Sequence, residues 1–287
     1  MDKHDIDIII PTKGKVDYLT KCIRSIVNKT KTVSYHIHVA DTGSDELDLK
    51  KIFQFIKKEF SKTKNISLHK YDYYNFARIN NNVVEKKTTA DTILFCNNDI
   101  ELIDPCIDRM YEELQKEGDT AGTVGCKLLF KNETIQHAGQ ECFTHRPQGY
   151  WHQPTDKLEV THRGLGTKNT YEDVSYIMGN TAALMMMRRD VFYDIGGFVE
   201  AYKECFEDVH LNMEVALKGY RNIYIDCVRA FHSESVTRTK SQEAMQKLEY
   251  DYFKSLSPWW NALPDEDKQY LSAFRTAEKL KPTGTYS

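Results

Sequence analysis

No stretch of this sequence approaches the roughly 20 consecutive apolar residues that a helix needs to cross a bilayer, so a membrane-spanning chain is not expected. C-x-x-C pairs are also missing. The seven cysteines (Cys22, Cys96, Cys106, Cys126, Cys142, Cys205 and Cys227) are odd in number, which argues against a structural zinc site or a disulfide framework. They read instead as small buried apolar residues. An excess of one charge is absent: 39 Lys and Arg stand against 42 Asp and Glu, for a net charge of −3. That balance excludes a general nucleic-acid binder. No internal repeat or low-complexity tract is visible. The opening residues MDKHDIDIIIPTKGK lack the apolar core and small-residue cleavage site of a secretory signal, and the expectation is a cytoplasmic chain. What remains is ordinary globular composition: 287 residues, 40% hydrophobic and 28% charged. That suits one large α/β domain or two small ones, with ample length for a core.

The first 100 residues alternate strand and helix signals. Strands are expected at Asp7 to Ile10 (stopping at Pro11), His36 to Ala40, Ile66 to Lys70 and Thr92 to Cys96. Helices are expected at Asp17 to Asn28, Leu47 to Phe60 and Asn75 to Lys87. Such alternation predicts βαβ units and a mostly parallel sheet flanked by helices. Ligands of such sheets bind beyond the carboxyl ends of the strands. The polar residues there are Pro11-Thr12-Lys13, Asp41 and Asn97-Asn98-Asp99.

The second half is less regular. Asp104 to Glu117 reads as helix and Thr123 to Phe130 as strand. A polar, aromatic, His-rich stretch then runs from Glu133 to Asp173, and a loop of that length is usually functional or mobile. Val174 to Met187 is apolar around Gly179-Asn180. Arg188 to Ile195 and Val209 to Lys218 read as helices, and Asn222 to Asp226 as a strand. Beyond Ser241 the chain is charged and helical in pattern, with Pro258-Trp259-Trp260 set into it.

Several residue groups could carry chemistry, each with a structural alternative. Asn97 and Asp99 at a strand end present oxygens suited to Mg²⁺ or Mn²⁺, or they form an ordinary turn. Glu207-Asp208 opens a helix as a dipole-complementing first turn, or supplies a general base. His232 follows a strand and is either a satisfied core histidine or a metal ligand. Asp41 could accept hydrogen bonds from a base or ribose, or close an Asx-turn with Thr42-Gly43. Arg78 could hold a phosphate or pair with a surface carboxylate, and Asn82 lies beside it on the same helix. Tyr150-Trp151-His152 could stack on sugar rings or simply pack on the surface. Phe253, Trp259 and Trp260 could dock on the core, a partner or a membrane surface.

The segments PTKGKVDYLTKCIRSI, HVADTGSDE, YNFARINNNVVEKKTTADTILFCNNDIEL, IQHAG, GNTAALMMMRRDVFYDIGGFVEAYKECFEDVHLNMEVALKGYRNIYID and FHSES, in that order, resemble family 2 glycosyltransferases with the GT-A fold. The likeness is to the bacterial branch that builds O-antigen and capsule, and it covers about residues 5–240. It implies a GT-A domain over residues 1–240 and a helical extension over 241–287. Pro11 and Thr12 would line the nucleotide pocket, and Asp41 would contact the base. Arg78, Asn82 and Asn98 join the expected donor site. Asn97-Asn98-Asp99 takes the D-x-D place, where Asp99 helps hold the metal on the donor diphosphate. Gly179 and Asn180 match the loop beside donor sugar and acceptor. Asp208 matches the catalytic base of inverting members, and His232 the histidine that completes the metal site. Glu207, Tyr150 and Trp151 are the expected acceptor contacts.

Two departures from the pattern stand out. Asn97 replaces the first acid of D-x-D, which weakens direct metal binding. His210 stands where the branch often has a second acid, two positions after the base. The implied function is metal-assisted, inverting transfer of a sugar from a nucleotide-diphosphate donor, UDP-linked by default, to a hydroxyl of a glycan or glycoconjugate. The implied cofactor is Mn²⁺ or Mg²⁺. No nucleic-acid partner is expected, and peripheral membrane contact stays open. The rival is an inactive nucleotide-sugar-binding protein of the same fold.

Overall fold

The computed structural model describes residues 4–143, 158–233 and 242–274. Its first half alternates β1 (Ile6–Thr12), α1 (Val16–Lys29), β2 (Tyr35–Asp41), α2 (Glu46–Phe60), β3 (Ile66–Lys70), α3 (Phe76–Lys87) and β4 (Thr92–Cys96). The helices form where the sequence caps them. Asp45 accepts the Asp48 N–H at the start of α2, and Asn75 accepts the Arg78 N–H at the start of α3; such caps each contribute about 1 kcal/mol. In α1, Leu19, Cys22, Ile23 and Ile26 recur at helical spacing and are fully buried, each large aliphatic side chain contributing about 1.5–3 kcal/mol.

Next come β5 (Ile100–Leu102), α4 (Cys106–Glu117), β6 (Ala121–Leu129), β7 (Ile135–His137), β8 (Gln140–Phe143) and β9 (Glu159–His162). Then follow β10 (Val174–Ile177), β11 (Leu184–Arg188), α5 (Arg189–Asp194), α6 (Glu207–Leu217) and β12 (Arg221–His232). The C-terminal helices are α7 (Gln242–Asp251), a π-helical turn (Tyr252–Leu256), α8 (Ser257–Ala262) and α9 (Asp265–Ala273).

The main sheet runs β10-β12-β6-β11-β4-β1-β2-β3, with β5 beside β12 and β7 beside β6. Strands β1 to β4 are mutually parallel, and β6 is parallel to β12. Strand β11 runs antiparallel between β4 and β6, and β10 antiparallel to β12. Side chains alternate between the two faces. Ile8, Ile10, Leu94 and Met186 join the core under α1 and α4. Ile9, Ile93, Phe95, Met185 and Met187 join the core under α3 and α6.

Two differences from the sequence reading have clear causes. Strand β1 continues through Pro11, which pairs with Ala40 of β2. Its pairing with β4 ends at Ile9, so the proline lies where β1 has a single neighbour, an edge position that tolerates a missing N–H. The stretch after Glu133 is also not all loop, because β7, β8 and β9 lie within it. These strands have only three or four residues, too few for a periodic signal.

The C-terminal helices close over α6. Leu256, Trp260 and Leu271 pack with Val209, Met213 and Ala216. All seven cysteines are free, and five are buried. Among the described residues, no helix is long and apolar enough to cross a membrane.

Candidate active site

The chain visits β1, β2 and β3 in one direction and then returns to place β4 on the other side of β1. The carboxyl ends of β1 and β4 therefore flank a topological switch point, where open α/β sheets bind ligands. A cavity of about 710 Å³ lies there. Pro11, Thr12 and Lys13 reach it from β1, and Asn97, Asn98 and Asp99 from β4. The two strand ends are tied together, since Asn98 Nδ2 donates to Thr12 Oγ1 at 2.8 Å.

Asp99 and His232 meet on one wall, with Asp99 Oδ1 3.3 Å from His232 Nε2. They are brought together because β12 ends antiparallel to β5, pairing His232 with Ile100. His232 Nδ1 donates to Gln136 Oε1 at 2.7 Å. A carboxamide oxygen can only accept, so Nδ1 carries a proton and Nε2 is the ring nitrogen turned toward Asp99. The Asn97 carboxamide nitrogen also lies 3.3 Å from Nε2.

This donor set fits a divalent cation. A carboxylate oxygen and an imidazole nitrogen suit Mn²⁺ or Mg²⁺, and an outer partner orients the imidazole as metal-binding histidines usually require. Among the described residues, no cluster of three or more His, Cys, Asp or Glu side chains is poised to hold a metal. Two protein donors would leave the remaining positions to phosphate oxygens and water. The wall charges point the same way. Asp99, Glu204, Glu207 and Asp208 line the cavity against Lys13 and Lys247, so a diphosphate entering it gains from a bound cation.

Asp208 faces the same cavity from the first turn of α6. Its Oδ2 accepts the Ala182 N–H at 3.0 Å, and its Oδ1 accepts the Val209 N–H at 2.8 Å. These bonds aim the carboxylate and leave lone pairs on both oxygens. The preceding residue but one, Phe206, holds φ at +72°, a left-handed conformation that costs a non-glycine residue about 1–3 kcal/mol. Glu207 is buried and also lines the cavity.

Other expected donor contacts lie off the cavity wall. Asp41 is buried, and its carboxylate accepts the Ser44 hydroxyl together with the Gly43 and Ser44 N–H groups. The Asx-turn is thus formed. Arg78 stacks its guanidinium 4.6 Å from the Tyr73 ring centre, and Asn82 accepts the Tyr71 hydroxyl at 3.1 Å; neither lines the cavity. Gly179 and Asn180 lie beneath it. A Cβ on Gly179 would sit 2.4 Å from Asn212 Cβ of α6, so this glycine serves close packing. Asn180 donates to the Ile223 carbonyl at 3.0 Å, and its backbone N–H reaches Asn212 Oδ1 at 3.0 Å. Asn212 in turn donates to the carbonyls of Asn180 and Asp208. This buried amide network fixes the loop whose Ala182 N–H holds Asp208.

His210 points away from the cavity. Its Nδ1 meets the Tyr202 hydroxyl at 2.8 Å, and its ring lies 4.2 Å from the Trp259 ring. The extra imidazole is thus a link between α6 and α8, not a site ligand. Trp260 is buried beside it, so both tryptophans dock on the core, whereas Phe253 is exposed. Tyr150, Trp151 and His152 lie outside the described residues.

Sequence reading assigned no role to Gln136, His137, His162 or Lys247, which all line the cavity. The IQHAG segment contained the first two. His137 Nε2 accepts the Thr181 N–H at 3.3 Å, and its Nδ1 meets His162 Nδ1 at 2.7 Å. Burial, followed by the nearby His162 and Arg163, pushes its pKa well below the ordinary imidazole value.

The mixed sheet and its switch point, with Asp99, His232 and Asp208 lining one cavity, define a protein of the GT-A glycosyltransferase class. A family profile described as Glycosyl transferase family 2 matches residues 7–196, well over half of the chain, which therefore belongs to that family. The chain is 27% identical over 261 residues to the O-antigen biosynthesis protein RfbC of Myxococcus xanthus, covering 88% of this chain and 19% of that protein. It is 29% identical over 257 residues to the uncharacterized protein y4gI of Sinorhizobium fredii (strain NBRC 101917 / NGR234), covering 87% and 27%. It thus spans about a fifth to a quarter of the length of these curated relatives.

Among solved structures, GalNAc-T7 with UDP, GalNAc and Mn²⁺ superposes with a TM-score of 0.65 at 14% identity, over 97% of this chain and 56% of that one. The mannosyltransferase PcManGT of Pyrobaculum calidifontis, in complex with GDP-Man and Mn²⁺, gives 0.61 at 14%, over 96% and 71%. At this identity the likeness concerns the fold.

Proposed function

We propose that this chain is an inverting glycosyltransferase that moves a sugar from a nucleotide-diphosphate donor, UDP-linked by default, to a hydroxyl of a glycan or glycoconjugate. The observation that carries the proposal is one cavity lined by Asp99, His232 and Asp208, with Asp99 and His232 3.3 Å apart. The Mn²⁺ in both structural relatives' complexes and the O-antigen role of the RfbC relative support it.

Asp99 and His232 would hold a divalent cation at the donor diphosphate, with Gln136 keeping the His232 lone pair directed at it. When bound, such a cation supplies Lewis-acid stabilisation of charge on the departing diphosphate. Asp208 would take the proton of the attacking hydroxyl as attack proceeds. Attack opposite the leaving group inverts the anomeric centre in a single displacement. Val160, Leu165 and Phe206 on the wall would help exclude water, which favours transfer over hydrolysis. Residues 158–166, from the stretch after Glu133, would form part of the acceptor side. The separation into a domain over 1–240 and an extension over 241–287 is part of the same proposal.

The test begins with thermal stability in UDP, dTDP, GDP and CDP, each with and without Mn²⁺. A nucleotide present at about 100 times its dissociation constant raises stability by roughly 2.7 kcal/mol. The expected result is a Mn²⁺-dependent shift for one nucleotide that Asp99→Ala abolishes. The anomeric configuration of the product, read by NMR, then decides the mechanism, and retention would overturn it.

A further inference from the structure

We propose that Asp251, the last residue of α7, is a positioning residue for the candidate base Asp208, and that the C-terminal helices thereby belong to the catalytic machinery. The proposal rests on the reading of Asp208 as base. Asp251 is fully buried, and among the described residues no Lys or Arg pairs with its carboxylate. Instead, it accepts three consecutive backbone N–H groups from the loop before α6. Oδ1 takes Lys203 at 2.9 Å, and Oδ2 takes Glu204 at 2.8 Å and Cys205 at 3.1 Å. The next residue is Phe206 in its left-handed conformation, and the two after it are Glu207 and Asp208.

The same segment grips the loop at two more points. The ring of Tyr252, adjacent to Asp251, meets the Phe206 ring at 6.1 Å between centres. Lys247, one turn earlier on α7, pairs with Glu204 at 3.1 Å. The far side of Asp208 is fixed separately, through the Ala182 N–H. Asp208 is therefore clamped between the β10–β11 loop and a loop whose backbone is held by Asp251.

The chemistry requires a carboxylate. Its two oxygens offer enough lone pairs for three N–H donors, and charge-assisted bonds of this kind are the stronger ones. A carboxamide keeps one oxygen and turns an NH₂ toward N–H donors. Asp251→Asn should therefore loosen the loop from Lys203 to Phe206 and let Asp208 drift, while the Asp99–His232 wall stays intact. A misplacement of about 1 Å at a reacting group can cost on the order of 100-fold in rate.

The experiment compares wild type, Asp251→Asn and Asp208→Asn in the full chain. Three readouts are taken: hydrogen exchange of the 203–209 segment, calorimetric binding of UDP with Mn²⁺, and UDP release from UDP-glucose. For Asp251→Asn, exchange in 203–209 should rise by about 10-fold or more while β1 and β4 stay protected. UDP–Mn²⁺ affinity should stay within about twofold, and kcat should fall about 10- to 100-fold with KM little changed. Unchanged exchange in 203–209 overturns the proposal. So does a loss of donor affinity matching the loss of kcat, which marks general loosening. If Asp251→Asn fails to fold, Tyr252→Leu, which removes the ring against Phe206 together with the hydroxyl that donates to the Leu158 carbonyl, should give the same pattern more mildly, whereas Tyr252→Phe, which loses only the hydroxyl, should not. Undiminished turnover in Asp208→Asn would sink the base reading by itself, leaving the exchange result to judge the clamp.

Discussion

Gln136→Leu should weaken Mn²⁺ binding without disturbing the nucleotide pocket. Gln136 and His232 are both largely buried, and the 2.7 Å bond between them fixes which ring nitrogen carries the proton. Leucine fills similar space but accepts nothing, so the buried Nδ1–H loses its partner. The ring is then free to rotate or to move its proton to Nε2, and either change removes the lone pair that faces Asp99. Loss of such an outer partner typically costs 10- to 100-fold in metal affinity, or about 1.4–2.7 kcal/mol. Calorimetric titration of Mn²⁺ at saturating UDP reads this directly. Gln136→Glu keeps an acceptor at the same position and should retain wild-type affinity or better. Mn²⁺ affinity within twofold of wild type in Gln136→Leu would refute the reasoning, because His232 would then need no orientation or hold no metal.

Asp208→Asn keeps the shape of the site but removes its proton acceptor; kcat should drop about 10²- to 10⁴-fold with UDP–Mn²⁺ binding unchanged, as steady-state kinetics and calorimetry would report. Gly179→Ala forces a methyl to 2.4 Å from Asn212 Cβ; overpacking of this kind costs about 1–3 kcal/mol, and a melting temperature equal to wild type would contradict the close approach. His36 and His69, on neighbouring strands, are both pushed down to about 4, chiefly by burial and then by His38. The unfolded chain takes up these protons near pH 6.5 while the folded one excludes them, so stability should be full above pH 6.5 and decline as pH falls toward 4. Melting curves across that range, compared with a His36→Gln/His69→Gln variant of flatter slope, check the sign.

The parallel half of the sheet was legible because its central strands β1 and β4 are buried almost throughout and two of its helices carry their own caps, at Asp45 and Asn75. Both features are local. The candidate site was legible only as far as its residues sit at the ends of strands and helices. Asp99 and His232 sit at strand ends and Asp208 in the first turn of a helix, and all three line one cavity. Gln136 could not be assigned, since its role depends on a ring 96 positions away, and no local pattern encodes that pairing. Asp41 carried two readings, and the turn is formed through Ser44, whose hydroxyl and N–H donate to the carboxylate.

His210 is the instructive departure. A second acid there would have added charge beside Asp208, and an imidazole facing the cavity would have offered a ligand. The structure gives it neither use. On α6 it lies two residues past Asp208, hence on a different side of the helix, where it meets Tyr202, Glu214 and Trp259. Trp259 completes the arrangement by donating its indole N–H to Glu214 at 2.8 Å. The side of α6 that turns from the cavity is thus specialised for holding α8, while Asp251 holds the loop that leads into the same helix. The His210 and Asp251 contacts together tie the helix and loop that carry the candidate base to the C-terminal helices. The histidine at this position is then explained by what the extension needs from α6, with no direct part in acceptor chemistry.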